Sequence, residues 1–258
     1  MLFIIRSVLL SIYFVVVSFL VFFLCLLRPF HANNSHMAAR IFAWGGLKLL
    51  GLRVELSGAE HFKDVGPAVI VGNHQSNLDL FTVGHMVPER TQSVGKRSLL
   101  YVPIFGVMYW LAGNVLINRG DKKQAWKKMA DTTSAILDKA LRIWVFAEGT
   151  RNRGKNMLPM KLGAFKMALD AHVPVVPVCV SSYYKNMNLN RWHSGVVRVQ
   201  VLHPIETAEL EKHNAESLRD FCQQAMQGCI EHLDAKGDFV PAAELPRFIL
   251  PIPRRSSL

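Results

Sequence analysis

The chain has 258 residues, half of them hydrophobic, with mean hydropathy +0.19, which excludes a disordered or purely solvating protein. Lys and Arg outnumber Asp and Glu by 30 to 19, a net charge of +11, so the expected partners are anionic: phosphates, acidic lipid surfaces or nucleic acid. Cys25, Cys179, Cys222 and Cys229 show no C-x-x-C spacing, which argues against a zinc site and against a disulfide framework.

Ser7 to Leu27 is a run of 21 residues without a charge; as a helix it would reach about 31 Å, the thickness of a bilayer core. The following RPFHANN is no small-residue cleavage site, so the segment reads as a retained anchor. Arg28, Arg40, Lys48 and Arg53 follow the run and only Arg6 and the α-amino group precede it. The positive-inside bias then puts the remainder on the cytoplasmic side of the inner membrane. His36 to Leu50 is a second apolar segment, with Met37, Ile41 and Trp44 at helical spacing and Arg40 and Lys48 interspersed. It reads as an interfacial helix that Gly45-Gly46 would loosen, and a monotopic hairpin competes with a true span. Residues 1–52 are thus expected to form an anchor, separate from the chemistry.

From residue 53 to 240, short β-rich runs at 68–72, 142–146, 173–180 and 196–202 alternate with amphipathic helices. That order predicts a single α/β domain with a mixed, largely parallel sheet flanked by helices. Asp121 and Gln124 suit a capping box for a helix ending near Leu141. Leu218, Phe221, Cys222, Ala225, Met226, Cys229, Ile230 and Leu233 repeat at helical spacing between Asn214 and Gly237 and are expected in the core. Residues 241–258 form a proline-rich basic tail, expected on the surface or against anionic headgroups.

The strand AVIVG runs into NHQSNLD at 73–79, with His74 in a strand-to-helix loop and Asp79 near the next helix start. On one continuous helix these side chains would diverge by about 140°, so the turn must fold back for them to meet. Asp79 would then accept the imidazole Nδ1–H and leave Nε2 as an outward-facing base.

This string resembles the first signature of the glycerolipid acyltransferase family, in its 1-acylglycerol-3-phosphate acyltransferase branch. Further blocks follow in the family's order: KRSLLYVPIFG at 96–106 with GNVLINR at 113–119, FAEGTRNRGKNMLPMKLGAF at 146–165, and VPVVPVCV at 173–180. Ala147, Asn118 and Met160 depart from the usual pattern without removing a functional group.

The resemblance implies transfer of an acyl group from acyl-CoA or acyl-acyl carrier protein to the 2-hydroxyl of 1-acylglycerol-3-phosphate. The thioester is a co-substrate, and no metal or other cofactor is expected. It implies His74 and Asp79 as the catalytic pair, with Arg119, Glu148, Gly149, Thr150, Arg151, Lys96 and Pro174 binding substrate. Arg119 and Arg151 are fork-shaped donors suited to a phosphate. Gly149 permits close approach of exposed backbone N–H groups. Glu148 cannot bind phosphate and is expected to orient an arginine or the acceptor hydroxyl, while Lys96 or backbone amides at 72–75 are candidates for the oxyanion.

Other readings are weaker. The chain has no G-x-S-x-G elbow, no G-x-x-x-x-G-K-[ST] loop and no basic-aromatic alternation, which sets aside a serine esterase, a nucleotide-binding enzyme and a nucleic-acid binder. A lipid-binding protein without chemistry, and an acyltransferase for glycerol-3-phosphate or another lysophospholipid, stay open.

Overall fold

Seven strands form one sheet in the order β1 (Leu52–Ser57), β7 (Gly195–Val201), β6 (Val175–Val180), β2 (Ala68–Gly72), β5 (Arg142–Phe146), β3 (Thr91–Lys96) and β4 (Val115–Ile117). Every neighbouring pair is parallel except β6 with β7. This computed structural model describes residues 1–63, 65–118, 120 and 122–248. Asp121 of the expected capping box lies outside them, as does the tail beyond residue 248.

β2 and β6 are buried at every position, which is why they read as unbroken apolar runs and not as alternating ones. Their side chains nonetheless point alternately to two layers. Val69 and Val71 face a core closed by α5 (Lys122–Asp138), α6 (Gly163–Ala171) and α8 (Ala215–Lys236). Ala68 and Ile70 face a second core, closed by α1 (Leu2–Leu27), α2 (Asn34–Leu50), α3 (Asp79–Thr82) and α4 (Phe105–Leu111). The expected mixed, largely parallel α/β sheet is borne out. On α8 six of the eight predicted positions, Leu218, Cys222, Ala225, Met226, Cys229 and Leu233, are buried, Phe221 and Ile230 are partly buried, and Gly237 closes the helix at φ 70°. All four cysteines are free and buried. The start of the tail is not loose surface: Leu245 is buried and the Phe248 ring lies 4.8 Å from that of Phe221.

Residues 1–52 are not a detached anchor. Val17, Val21 and Cys25 of α1 and Ala38 and Phe42 of α2 share one core with Ile70 and Trp144 of the sheet. Near the start of α1, the buried Arg6 guanidinium donates to the carbonyls of Leu189, Arg191 and Trp192 and to the Ser194 hydroxyl. The opposite face of α1 is open, with Ile4, Val8, Ile12, Val16, Leu20 and Phe23 all exposed.

Gly45 and Gly46 do not loosen α2, which runs unbroken through them. A Cβ on Gly45 would lie 2.4 Å from the Tyr13 ring, and one on Gly46 would lie 2.2 Å from the Phe81 ring. The pair exists so that α1 and α3 can approach the α2 backbone. Met37 and Ile41 turn inward against the core. Trp44 keeps the outward position expected of an interfacial residue, with the Lys48 ammonium 3.9 Å above its ring.

Candidate active site

β2 ends at Gly72 in the middle of the sheet, so residues 73–78 emerge at the carboxyl ends of the parallel strands, where open α/β sheets place their sites. Asn73 pins this loop to β6: its Nδ2 donates to the Val180 carbonyl at 2.9 Å, and its Oδ1 accepts the Val180 N–H at 2.8 Å. Gln75 adds a bond from Nε2 to the Ser181 carbonyl at 2.7 Å. Across the loop, Asn152 N–H reaches the His74 carbonyl at 2.8 Å and Arg153 N–H the Gln75 carbonyl at 3.1 Å.

The structure brings His74 and Asp79 together, with Nδ1 2.5 Å from Oδ2. The same oxygen accepts the N–H groups of Gln75 at 2.7 Å and Ser76 at 3.0 Å. Those two bonds are the fold-back that the spacing required. The Asp79 carboxylate is buried, whereas the His74 ring is 22 % exposed. The imidazole stacks on Phe146 at 4.1 Å and 13°, which limits its rotation. A carboxylate on Nδ1 sets the tautomer with the lone pair on Nε2.

Glu148 binds two backbone groups. Its Oε1 accepts the His74 N–H at 2.7 Å and its Oε2 the Leu158 N–H at 2.7 Å. It is buried, and among the described residues no arginine bonds to it, so it holds the His74 backbone. Burial pushes its carboxyl above the usual range, against the lowering effect of the two backbone bonds. Gly149 does not offer its own N–H. It takes φ 72° in a turn whose N–H is used by the Phe146 carbonyl at 2.9 Å, and a Cβ there would press on Lys161 Cε at 2.9 Å.

Lys96, Gly149, Thr150 and Arg151 line the same cavity as His74. Arg151 is exposed and donates to Asn77 Oδ1. Pro174 is not in this group. Its carbonyl accepts the Val69 N–H at the entry end of β2, three residues before Gly72 and thus about 10 Å from the loop. Arg119 lies outside the described residues.

The cavity holds about 1190 Å³ and runs from His74 past Phe146 and Trp144 to Phe105 and Met108. Leu10, Phe14 and Val15 of α1 and Phe42 of α2 complete its wall. Sequence reasoning missed this contribution, because an unbroken apolar run carries no mark of which face will meet a site. It missed Tyr183 as well, whose hydroxyl donates to Asp79 Oδ1.

The class so defined is an α/β enzyme with a histidine–aspartate pair at the mouth of a long apolar cavity. Residues 53–181 match the family model described as Acyltransferase. The chain is 39 % identical over 235 residues to the 1-acyl-sn-glycerol-3-phosphate acyltransferase of Escherichia coli K12, covering 91 % of this chain and 95 % of that one. It is 40 % identical over 211 residues to the protein of the same name from Haemophilus influenzae, covering 80 % and 87 %. The crystal structure of the 1-acyl-sn-glycerophosphate acyltransferase PlsC from Thermotoga maritima shares the fold with TM-score 0.69 at 22 % identity, covering 93 % of this chain and all of that one. The chain belongs to the acyltransferase family, among relatives named 1-acyl-sn-glycerol-3-phosphate acyltransferases.

Proposed function

We propose that this protein transfers a fatty acyl group from acyl-CoA or acyl-acyl carrier protein to the 2-hydroxyl of 1-acylglycerol-3-phosphate, giving phosphatidic acid. The observation that carries this reading is the His74–Asp79 pair at the mouth of an apolar cavity of about 1190 Å³. That volume exceeds the roughly 300–1,000 Å³ of ordinary small-molecule sites and suits a long chain.

His74 Nε2 takes the hydroxyl proton as the acceptor oxygen attacks the thioester carbonyl. The C–O bond forms, the C–S bond breaks, and the departing thiolate recovers the proton from the imidazolium. General-base assistance of this kind contributes about 10² to 10⁴-fold. Lys96 and Arg151 at the cavity rim supply the positive charge that an acceptor phosphate or the developing oxyanion needs. The family blocks assign Arg119 to the phosphate as well.

The exposed apolar face of α1 makes a bilayer the partner. Because the domain packs along α1 from Arg6 to Cys25, an upright span would drag the sheet into hydrocarbon. The helix therefore lies within one leaflet, and the basic residues that follow it favour the anionic cytoplasmic leaflet.

The test is mass spectrometry of products from purified protein, oleoyl-CoA and a panel of acceptors: lysophosphatidate, glycerol-3-phosphate, lysophosphatidylcholine and monoacylglycerol. Phosphatidic acid is expected from lysophosphatidate, and folded His74→Ala should lose about 10² to 10⁴-fold in kcat. A folded His74→Ala enzyme with more than about a tenth of wild-type kcat would overturn the mechanism. Equal use of monoacylglycerol would overturn the phosphate-bearing acceptor.

A further inference from the structure

We infer that Tyr183 is a positioning residue for acyl transfer, acting through Asp79 to hold His74 in its working tautomer and orientation. The inference rests on the reaction proposed above and adds a residue to it. Asp79 receives its bonds unevenly. His74 Nδ1, Gln75 N–H and Ser76 N–H all converge on Oδ2, whereas Oδ1 receives the Tyr183 hydroxyl. Asp79 is 3 % exposed and Tyr183 1 %, so bulk water has no access to replace that bond. A bare carboxylate oxygen in such a place is costly. Without the hydroxyl Oδ1 would be left bare, and more of the carboxylate charge would sit on the Oδ2 that holds the imidazole.

The donor is itself held. Tyr183 opens α7 (Tyr183–Asn186), its N–H bonded to the Ser181 carbonyl at 2.7 Å and its carbonyl to the Met187 N–H at 2.9 Å. Burial first, and the Asp79 charge second, push the phenol well above its ordinary range. It therefore stays protonated, and a donor, wherever the enzyme works. The family-model match ends at residue 181, two residues short of Tyr183, so motif comparison does not reach it.

Other charges nearby do not take this role. Glu148 is spent on the His74 and Leu158 N–H groups, and Arg151 bonds to Asn77. His85, which follows α3, is pushed below its ordinary range by burial first, against a bond to the Thr82 backbone, with the Arg40 charge a smaller addition. Among the described residues, the titratable side chains bonded to Asp79 are His74 and Tyr183.

The experiment compares the full-length wild type, Tyr183→Phe, Asp79→Asn and the double variant in detergent, with lysophosphatidate and oleoyl-CoA, reading kcat, both KM values and the pH profile of kcat/KM. Tyr183→Phe should lower kcat about tenfold and leave both KM values within about twofold. It should also move the acidic limb to higher pH, because a carboxylate relieved of one hydrogen bond holds the imidazolium more strongly. Adding Tyr183→Phe to Asp79→Asn should cost nothing further, since the residue it acts through has already been altered. Fluorotyrosine incorporated at position 183 keeps the ring and strengthens the donor, so it should move the limb to lower pH even if the Phe variant fails to fold. A folded Tyr183→Phe enzyme with wild-type kcat and an unmoved limb overturns the inference, as does a loss that adds fully to Asp79→Asn. If the wild type makes no phosphatidic acid, the proposed reaction falls and the inference with it; an active wild type with an indifferent Phe variant sinks the inference alone.

Discussion

Asp79 reaches His74 because residues 75 to 78 are not helical: two of their N–H groups turn back onto the carboxylate that they precede. Glu148 performs the matching task from the other side, binding the His74 N–H itself. A carboxyl raised by burial binds its proton more readily folded than unfolded, so its contribution to stability falls as pH rises. Below about pH 4.3 both states are protonated and the effect vanishes; above that the unfolded chain ionises first, and the folded state bears the cost of a buried charge. Glu148→Gln removes this titration. Thermal unfolding of wild type and Glu148→Gln from about pH 4 to 7 should therefore show the wild type losing ground to the variant as pH rises. A difference that stays flat, or grows in favour of the wild type, would show that the backbone bonds outweigh burial. The variant should also be slower, because its amide offers an N–H where one of the two backbone N–H groups needs an acceptor.

At the scale of elements, the packing of α2 decides where α3 begins. Phe81 is 4 % exposed and its ring lies over the Gly46 backbone, two residues along the chain from Asp79. Gly46→Val would force this ring out of a filled core. Overpacking of that kind costs about 1–3 kcal/mol, and any shift of α3 moves the Asp79 carboxylate. Denaturant unfolding in detergent should show a lower midpoint for Gly46→Val, and the enzyme should lose kcat more than it gains KM. Unchanged stability and kcat would mean that α2 and the active site are mechanically independent. Gly228 offers a control, since nothing lies within 4 Å of a Cβ there; Gly228→Ala should be neutral or slightly stabilising, as Ala is the better helix former.

For the whole molecule, the membrane-facing helix and the cavity wall are one object. Leu10 and Phe14 line the site while Val8, Ile12, Val15 and Val16 on the same helix are exposed. Deleting residues 1–27 should therefore remove more than attachment. The core would lose Val17, Val21 and Cys25, and the segment at 189–194 would lose the Arg6 guanidinium. The truncated protein is expected to aggregate, or to be inactive even on short-chain lysophosphatidate dispersed in detergent. Light scattering and activity on that substrate decide the point: a monodisperse, active truncation would restore the reading of α1 as an anchor alone.

Much of this was legible in the sequence wherever the information is local. The buried runs of β2 and β6 and the apolar stripe of α8 follow from periodicity and spacing and specify an α/β domain, and the order of the motif blocks carries the resemblance to the acyltransferase family. The His74–Asp79 pair was legible for the same reason, since its members lie five residues apart. What local pattern cannot express is which distant segments share a surface. Gly45-Gly46 read as a weakness because a missing side chain does not reveal the rings of Tyr13 and Phe81 that occupy its space. The partners of Glu148 are backbone groups, which carry no sequence signature. Pro174 belonged to a matching block yet sits at the wrong end of its strand. Tyr183 touches Asp79 only after β6 has returned through the centre of the sheet, 104 residues along the chain. The local elements and their chemistry were thus determined by sequence alone; the tertiary structure decided which of them meet, because burial brings together side chains that chain order keeps apart.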